Sequence, residues 1–270
     1  MSEQKIALTI AGLDPSGGAG IIADIKTFSA FGCFATSAVT SITFQNTQGV
    51  YGAVHQTAED VRKQIEPILH DYRVSAVKTG MLPTDEVISE VADIVKGGRL
   101  RNLVVDPVVR STSGFDLIDD DALRSLIDSL FPLADLITPN IPEAERISGL
   151  KIENEEGVYQ AAKIMRDLGA RNVLIKGGHS FEKEKGATAA EPRYARDFLF
   201  IEDSSTIITA DFIETTATHG TGCTLAAAIT ANLALENDIA SSVRIAKEFV
   251  TEAIRNAPHI GKGHSPIGIK

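Results

Sequence analysis

The chain has 270 residues, 43% of them hydrophobic, and sets 26 lysines and arginines against 36 aspartates and glutamates, a net charge of −10. That excess of acid repels a phosphate backbone and argues against nucleic acid as a partner, while no apolar run approaches the roughly 20 residues that a membrane-spanning helix needs. Its two cysteines, Cys33 and Cys223, lack the spacing of a disulfide framework or a zinc site, which points to a reducing compartment.

The opening MSEQKIALTI runs into AGLDPSGGAG, a short strand over 6–11 followed by a Gly-rich loop rather than a signal peptide. A cytoplasmic location without membrane contact is therefore expected. The loop from Gly12 to Gly20 leads into a helix over 20–31 that contains Asp24. Its glycines let backbone approach a ligand closely. Neither GxxxxGK[ST] nor GxGxxG is present, so it is neither a P-loop nor a dinucleotide fingerprint, and a plain tight turn is the alternative.

A strand over 35–43 ends in Phe44-Gln45-Asn46-Thr47, and a strand over 74–78 ends in Lys78-Thr79-Gly80-Met81. An amide that both donates and accepts, beside aromatic and thioether surface, suits the edge and face of a nitrogen heterocycle. Met81 as ordinary core filler competes with that reading.

Helical periodicity over 58–71, 85–95, 121–130 and 156–168 alternates with strands over 102–105, 135–138 and 172–176. Asp106 follows the first of these strands, and Asn140 and Glu143 follow the second. Oxygen ligands at strand ends suit a Mg²⁺ that keeps several waters and bridges phosphates. Helix capping by Asn140 and Glu143 accounts for the same pattern. Lys176 ends the third strand, where it either touches a phosphate as a point charge or snorkels to solvent.

The alternation breaks over 181–211, where strands over 198–201 and 206–209 suggest a hairpin with a mobile approach loop. Thr215 to Thr218 and His219-Gly220-Thr221-Gly222-Cys223-Thr224 then open an apolar helix over 220–235. Unpaired N–H groups and the positive end of the helix dipole at such a start form an anion cradle. The same field lowers a thiol pKa, which would make Cys223 a base or polar partner for a reacting hydroxyl. A small buried core cysteine is the alternative. A helix over 241–256 and a Gly-rich tail over 261–268 follow. Strand–helix alternation over 1–270 implies one α/β domain with a doubly wound, mostly parallel sheet and helices on both faces.

The segments ALTIAGLDPSGGAGIIADIKTFSAFG, SITFQNTQGV, VKTGML, VVDPVVRSTSG, ITPNIPEAE, VLIKGGH, THGTGCTLAAAI and GKGHSPIG stand in this order along the chain. Together they resemble the ribokinase-like superfamily, and within it the hydroxymethylpyrimidine/phosphomethylpyrimidine kinases of thiamine biosynthesis. The resemblance implies two successive ATP- and Mg²⁺-dependent transfers, first to 4-amino-5-hydroxymethyl-2-methylpyrimidine and then to its monophosphate. It implies that Gln45 holds the ring with Gly12, Asp24 and Met81 around it. Asp106 and Glu143 would organise Mg²⁺, Lys176, Asn140 and Thr218 would face ATP, and Gly220, Thr221, Gly222 and Cys223 would form the anion hole. Cys223 would accept or orient the hydroxyl proton. The stretch 182–196 departs from the family. Pyridoxal/pyridoxine kinase is the neighbouring reading, and a non-catalytic pyrimidine-binding descendant is a third. A homodimer is the expected assembly.

Overall fold

A computed structural model describes residues 4–109, 116–178 and 193–270. His179 and most of the 182–196 stretch, including the expected approach loop, lie outside the described residues.

Nine strands form one sheet in the order β3-β2-β1-β4-β5-β6-β7-β8-β9. They are β1 Ile6–Leu13, β2 Phe34–Asn46, β3 Gly49–His55, β4 Ala76–Thr79, β5 Leu103–Val105, β6 Leu136–Ile137, β7 Asn172–Gly178, β8 Tyr194–Ile201 and β9 Ser204–Asp211. The strands from β2 to β7 in this order are parallel, and β3, β8 and β9 join antiparallel at the edges. The helices are α1 Gly20–Ala30, α2 Ala58–Asp71, α3 Asp85–Lys96, α4 Asp120–Ser125, α5 Ile141–Ser148, α6 Glu155–Asp167, α7 Thr221–Ala234 and α8 Ile239–Arg255. Among the described residues none is long and apolar enough to cross a membrane.

The strands are apolar on both faces because both faces are covered. Leu8, Ile10, Val77, Leu103, Val105, Ile137, Val173 and Ile175 pack with α2 to α6. Their alternates Ala7, Ala76, Val104, Leu136 and Leu174 pack with α1, α7 and α8. A period of two thus divides one apolar run between two cores.

Two elements differ from the sequence reading, which places no strand over 49–55 and a plain helix over 121–130. The strand β3 carries Gly49 and Gly52, and most of its side chains are partly or fully exposed, so it has no core periodicity to detect. The segment 121–130 begins as α4 but continues as a π turn, Leu126–Leu130.

Six of the eight described helices have an N-cap side chain that accepts a backbone N–H: Thr57, Thr84, Asp119, Asn140, Asn154 and Asp238. The exceptions, α1 and α7, begin at Ala19 and Gly220 without a side-chain cap. Both starts face the cavity described next.

Candidate active site

A cavity of about 530 Å³ opens at the carboxyl ends of β1, β4, β5 and β7, where an open α/β sheet places its ligands. Three of the strands that supply it carry register shifts: at Ala11/Gly12 between β1 and β2, at Phe44/Gln45 between β2 and β3, and between Lys176 and Gly178 on β7. Such irregularities re-aim side chains at sites.

At one end lie Gly12, Gln45 and Met81. A Cβ on Gly12 would approach the Met81 sulfur to 3.1 Å, so glycine there makes room for the thioether. Phe44, expected as aromatic surface for a ring, instead points away and is 53% exposed, because alternate residues of a strand face opposite sides.

Asp24, expected beside the ring, does not line the cavity. It is fully buried on α1, where its Oδ2 accepts from Lys78 Nζ at 2.8 Å and Thr9 Oγ1 at 2.6 Å. Its Oδ1 has no hydrogen-bond partner among the described residues. Lys78 is also fully buried, yet it borders the cavity floor. Burial opposes its charge, but Asp24, Cys223 and Asp106 outweigh this and hold its pKa above the usual lysine range.

The start of α7 forms the middle of the cavity with Thr218, Gly220, Thr221, Gly222 and Cys223. Gly220 adopts φ 83°, and a Cβ there would sit 1.8 Å from the Gly18 carbonyl oxygen. Only glycine lets the first loop and the α7 start touch. Thr221 N–H makes a long 3.4 Å bond to the Thr218 carbonyl, and the first-turn N–H groups of Gly222 and Cys223 have no intrahelical acceptor.

The expectation of a lowered thiol pKa is overturned. Burial dominates and, despite Lys78 and the Gly20 N–H, the Cys223 thiol is pushed up to about 11, with Asp106 and Asp24 also raising it. Cys223 is only partly covered, but its sulfur lies among protein groups that desolvate a thiolate.

Lys176 Nζ lies 3.3 Å from where a Cβ on Gly222 would be and donates to Asp106 Oδ1 at 2.8 Å. Thr138 Oγ1 donates to the same oxygen at 3.1 Å. Burial alone would lower the Lys176 pKa, but Asp106 and Glu143 raise it. Glu143 completes a capping box with Asn140: Asn140 N–H donates to Oε2 at 2.8 Å and Glu143 N–H to the Asn140 side chain at 2.9 Å. Burial and the neighbouring Asp106 raise the Glu143 pKa. Capping is therefore realised, and both residues still border the cavity.

The far end is apolar, with Phe212, Ile213, Val250 and Ile254, above a pair in which Lys247 Nζ donates to Asp197 at 2.6 Å. Sequence reasoning singled out neither that pair, nor Lys78, nor Asp14 and His219, which meet at 2.7 Å near Gln45. Lys78 carried a usable signal, since AVKTG and LIKGG both end an apolar strand in Lys-x-Gly.

The sequence profile of the family described as phosphomethylpyrimidine kinase matches residues 14–268. The chain belongs to this family. It is similar to the hydroxymethylpyrimidine/phosphomethylpyrimidine kinase of Haemophilus influenzae, 41% identical over 267 residues, which are 98% of this chain and 97% of that one. Among solved structures it is similar to phosphomethylpyrimidine kinase from Clostridium difficile 630, with 41% identity, a TM-score of 0.78, and coverage of 93% of this chain and 100% of that one. It is also similar to Bacillus subtilis pyridoxal kinase solved as an ADP complex, with 34% identity, a TM-score of 0.87, and coverage of 99% and 98%. These likenesses bear out the ribokinase-like α/β fold that the motif order implied.

Proposed function

We propose that this phosphomethylpyrimidine kinase family member transfers a phosphoryl group from ATP to the hydroxymethyl arm of 4-amino-5-hydroxymethyl-2-methylpyrimidine, and then to the monophosphate, within thiamine biosynthesis. Residues 1–270 act as one kinase domain. The observation that supports this most strongly is a single cavity bordered by Gln45 at one end and by the uncapped α7 start, Lys176, Asp106 and Glu143 beyond it.

Phosphoryl transfer needs alignment and charge neutralisation more than covalent help. Gln45, Gly12 and Met81 hold the ring so that its arm points to Cys223. The N–H groups of Thr221, Gly222 and Cys223 meet charge that develops on the transferred group. Lys176 adds a cation beside Gly222. With its pKa near 11, Cys223 is a thiol at neutral pH and orients the hydroxyl rather than waiting as a thiolate. Thr218 and Asn140 border the nucleotide side, and the apolar far end takes the base.

Asp106 and Glu143 both border the cavity and would supply two carboxylate oxygens to a Mg²⁺ that otherwise keeps water and phosphate. Bound there, the ion would neutralise phosphate charge.

Pyridoxal as substrate is a second reading, favoured by one observation: the Bacillus subtilis pyridoxal kinase gives a TM-score of 0.87 against 0.78 for the pyrimidine kinase structure. Product analysis decides. With ATP and the pyrimidine the protein forms the monophosphate and then the diphosphate; formation of neither, with pyridoxal phosphorylated, supports the second reading.

The assembly is a homodimer formed over β2 and β3. Ile42, Phe44, Tyr51 and Val54 are exposed there, Ile42 pairs across to Val54, and β3 is a free sheet edge, which a second copy would cover. Light scattering at twice the chain mass supports this, and a monomer contradicts it. A cytoplasmic location fits the two unpaired cysteines, Cys33 and Cys223.

A further inference from the structure

Two protein groups hold the Gln45 amide. Thr43 Oγ1 lies 3.1 Å from Gln45 Oε1 and 3.1 Å from the Leu13 carbonyl oxygen. His219 Nε2 lies 3.4 Å from Gln45 Nε2 and 2.7 Å from Asp14 Oδ2.

Counting hydrogens settles what these contacts are. Asp14 also accepts the Ser16 N–H, the Ser16 hydroxyl and the Ala19 N–H. Burial would raise its pKa, but the bonds from His219 and Ser16 hold it below the usual range. Asp14 is thus a carboxylate at neutral pH and only accepts, so His219 Nε2 carries a hydrogen and donates to it. That one hydrogen lies mainly on the 2.7 Å bond to Asp14, and the protonated Nε2 has no lone pair left for an amide N–H, so the 3.4 Å contact suits an amide oxygen sharing the same hydrogen and not an amide nitrogen. The Thr43 hydroxyl has one hydrogen for two oxygens at the same 3.1 Å; given to the Leu13 carbonyl, it leaves the hydroxyl oxygen to accept from an amide N–H. A half-turn of the Gln45 amide removes the N–H against N–H contact with His219 and gives the Thr43 oxygen an amide N–H to accept.

The His219 ring is itself held. Its backbone N–H donates to the Ser265 carbonyl at 3.2 Å, and it packs so tightly on the first loop that a Cβ on Gly18 would come within 2.3 Å of its Cδ2.

We propose that Asp14 and His219, with Thr43, are positioning residues that lock the Gln45 amide with its oxygen toward His219 and its nitrogen toward Thr43, and so set which ring the cavity accepts. This rests on the aminopyrimidine reading above. The locked amide offers one acceptor and one donor in fixed order: the oxygen takes the exocyclic amine and the nitrogen donates to the adjacent ring nitrogen. A 4-oxo ring presents the reverse order, with an acceptor where the amine was and a ring N–H beside it. An amide free to turn would serve both rings.

The test measures kcat/KM with saturating ATP for 4-amino-5-hydroxymethyl-2-methylpyrimidine and its 4-oxo counterpart, in the wild type and in His219→Ala, His219→Gln and Thr43→Val. The wild type should prefer the amino ring by about 10²-fold or more, as a site built on hydrogen bonds rejects a mismatched partner. His219→Ala should reduce that ratio about tenfold or more, with the KM for ATP within about twofold of wild type. His219→Gln can place an N–H where the imidazole Nε2–H stood, so it should keep most of the ratio. Thr43→Val removes the other anchor and should lower the ratio. Equal slowing of both rings in His219→Ala, with an unchanged ratio, would make His219 merely structural and overturn the inference. If His219→Ala does not fold, an unchanged ratio in Thr43→Val overturns it instead. A wild type that ignores the amino ring overturns the substrate reading, and this inference with it; a wild type that turns over both rings equally overturns this inference alone.

Discussion

Lys78 Nζ and Asp24 Oδ2 meet at 2.8 Å with neither side chain exposed. The pair ties β4 to α1 under the cavity, within electrostatic reach of Cys223. A charge left alone in that place has no water to solvate it.

Removing one partner should therefore cost more than removing both. Lys78→Met and Asp24→Asn should each lose about 3–5 kcal/mol of stability, and the double variant should recover much of that loss. Denaturant unfolding of the three variants measures the coupling. Additive losses would mean that the two residues do not depend on each other.

With its thiol pushed up to about 11, Cys223 should act on the proposed substrate by orientation more than by basicity. Cys223→Ala should lower kcat by about 10²-fold or more, while Cys223→Ser, which keeps a hydrogen-bonding group, should recover a large part of the loss. Iodoacetamide labelling of the ligand-free protein should accelerate with pH up to a midpoint near 11, well above the ~8.5 of a free cysteine. A midpoint below 8.5, with an inactive serine variant, would restore a thiolate base.

Asp106 and Glu143 line the same cavity as Gln45, but in the proposed reading they serve the metal and not the ring. Asp106→Ala and Glu143→Gln should weaken the Mg²⁺ dependence of turnover, and should lower kcat by about 10-fold or more. Pyrimidine binding without nucleotide, followed by calorimetry, should stay nearly intact. Loss of that binding with an unchanged metal response would refute the separation.

Asp14 makes stability depend on acid. Its folded pKa lies below the ordinary value of 3.8, so its contribution is fully present above that value and is lost as pH falls through the folded pKa. At pH 7 Asp14→Asn should cost about 1–3 kcal/mol, the usual worth of hydrogen bonds to a charged group, and the deficit should shrink as pH falls below 3.8. A deficit independent of pH would mean that the charge of Asp14 contributes nothing.

Much of the architecture was legible because it rests on repeated local signals. Apolar runs such as 172–176 end in glycine or a charged residue, and helices such as 58–71 carry a clear apolar stripe with a capping threonine before them. The strand β3 was not, since its side chains leave the core to form an exposed edge. The glycine-rich, uncapped start of α7 was legible in Gly-Thr-Gly-Cys. The contacts behind it were not: Asp24 belongs to Lys78, and Asp14 to His219, across 54 and 205 positions of chain. Such pairings depend on which strand ends the sheet order brings together. The Cys223 pKa was misjudged because the helix dipole is visible in sequence, whereas the burial of the sulfur and the carboxylates of Asp106 and Asp24 near it come from distant parts of the chain.

The most direct test of the whole account is the ratio of kcat/KM for 4-amino-5-hydroxymethyl-2-methylpyrimidine to that for pyridoxal, measured by coupled ADP release in the wild type. Gln45 can pair with both a ring nitrogen and the exocyclic amine that pyridoxal lacks, so the account predicts a ratio of about 10 or more. A ratio at or below one would contradict it and make pyridoxal the substrate for which this cavity is built.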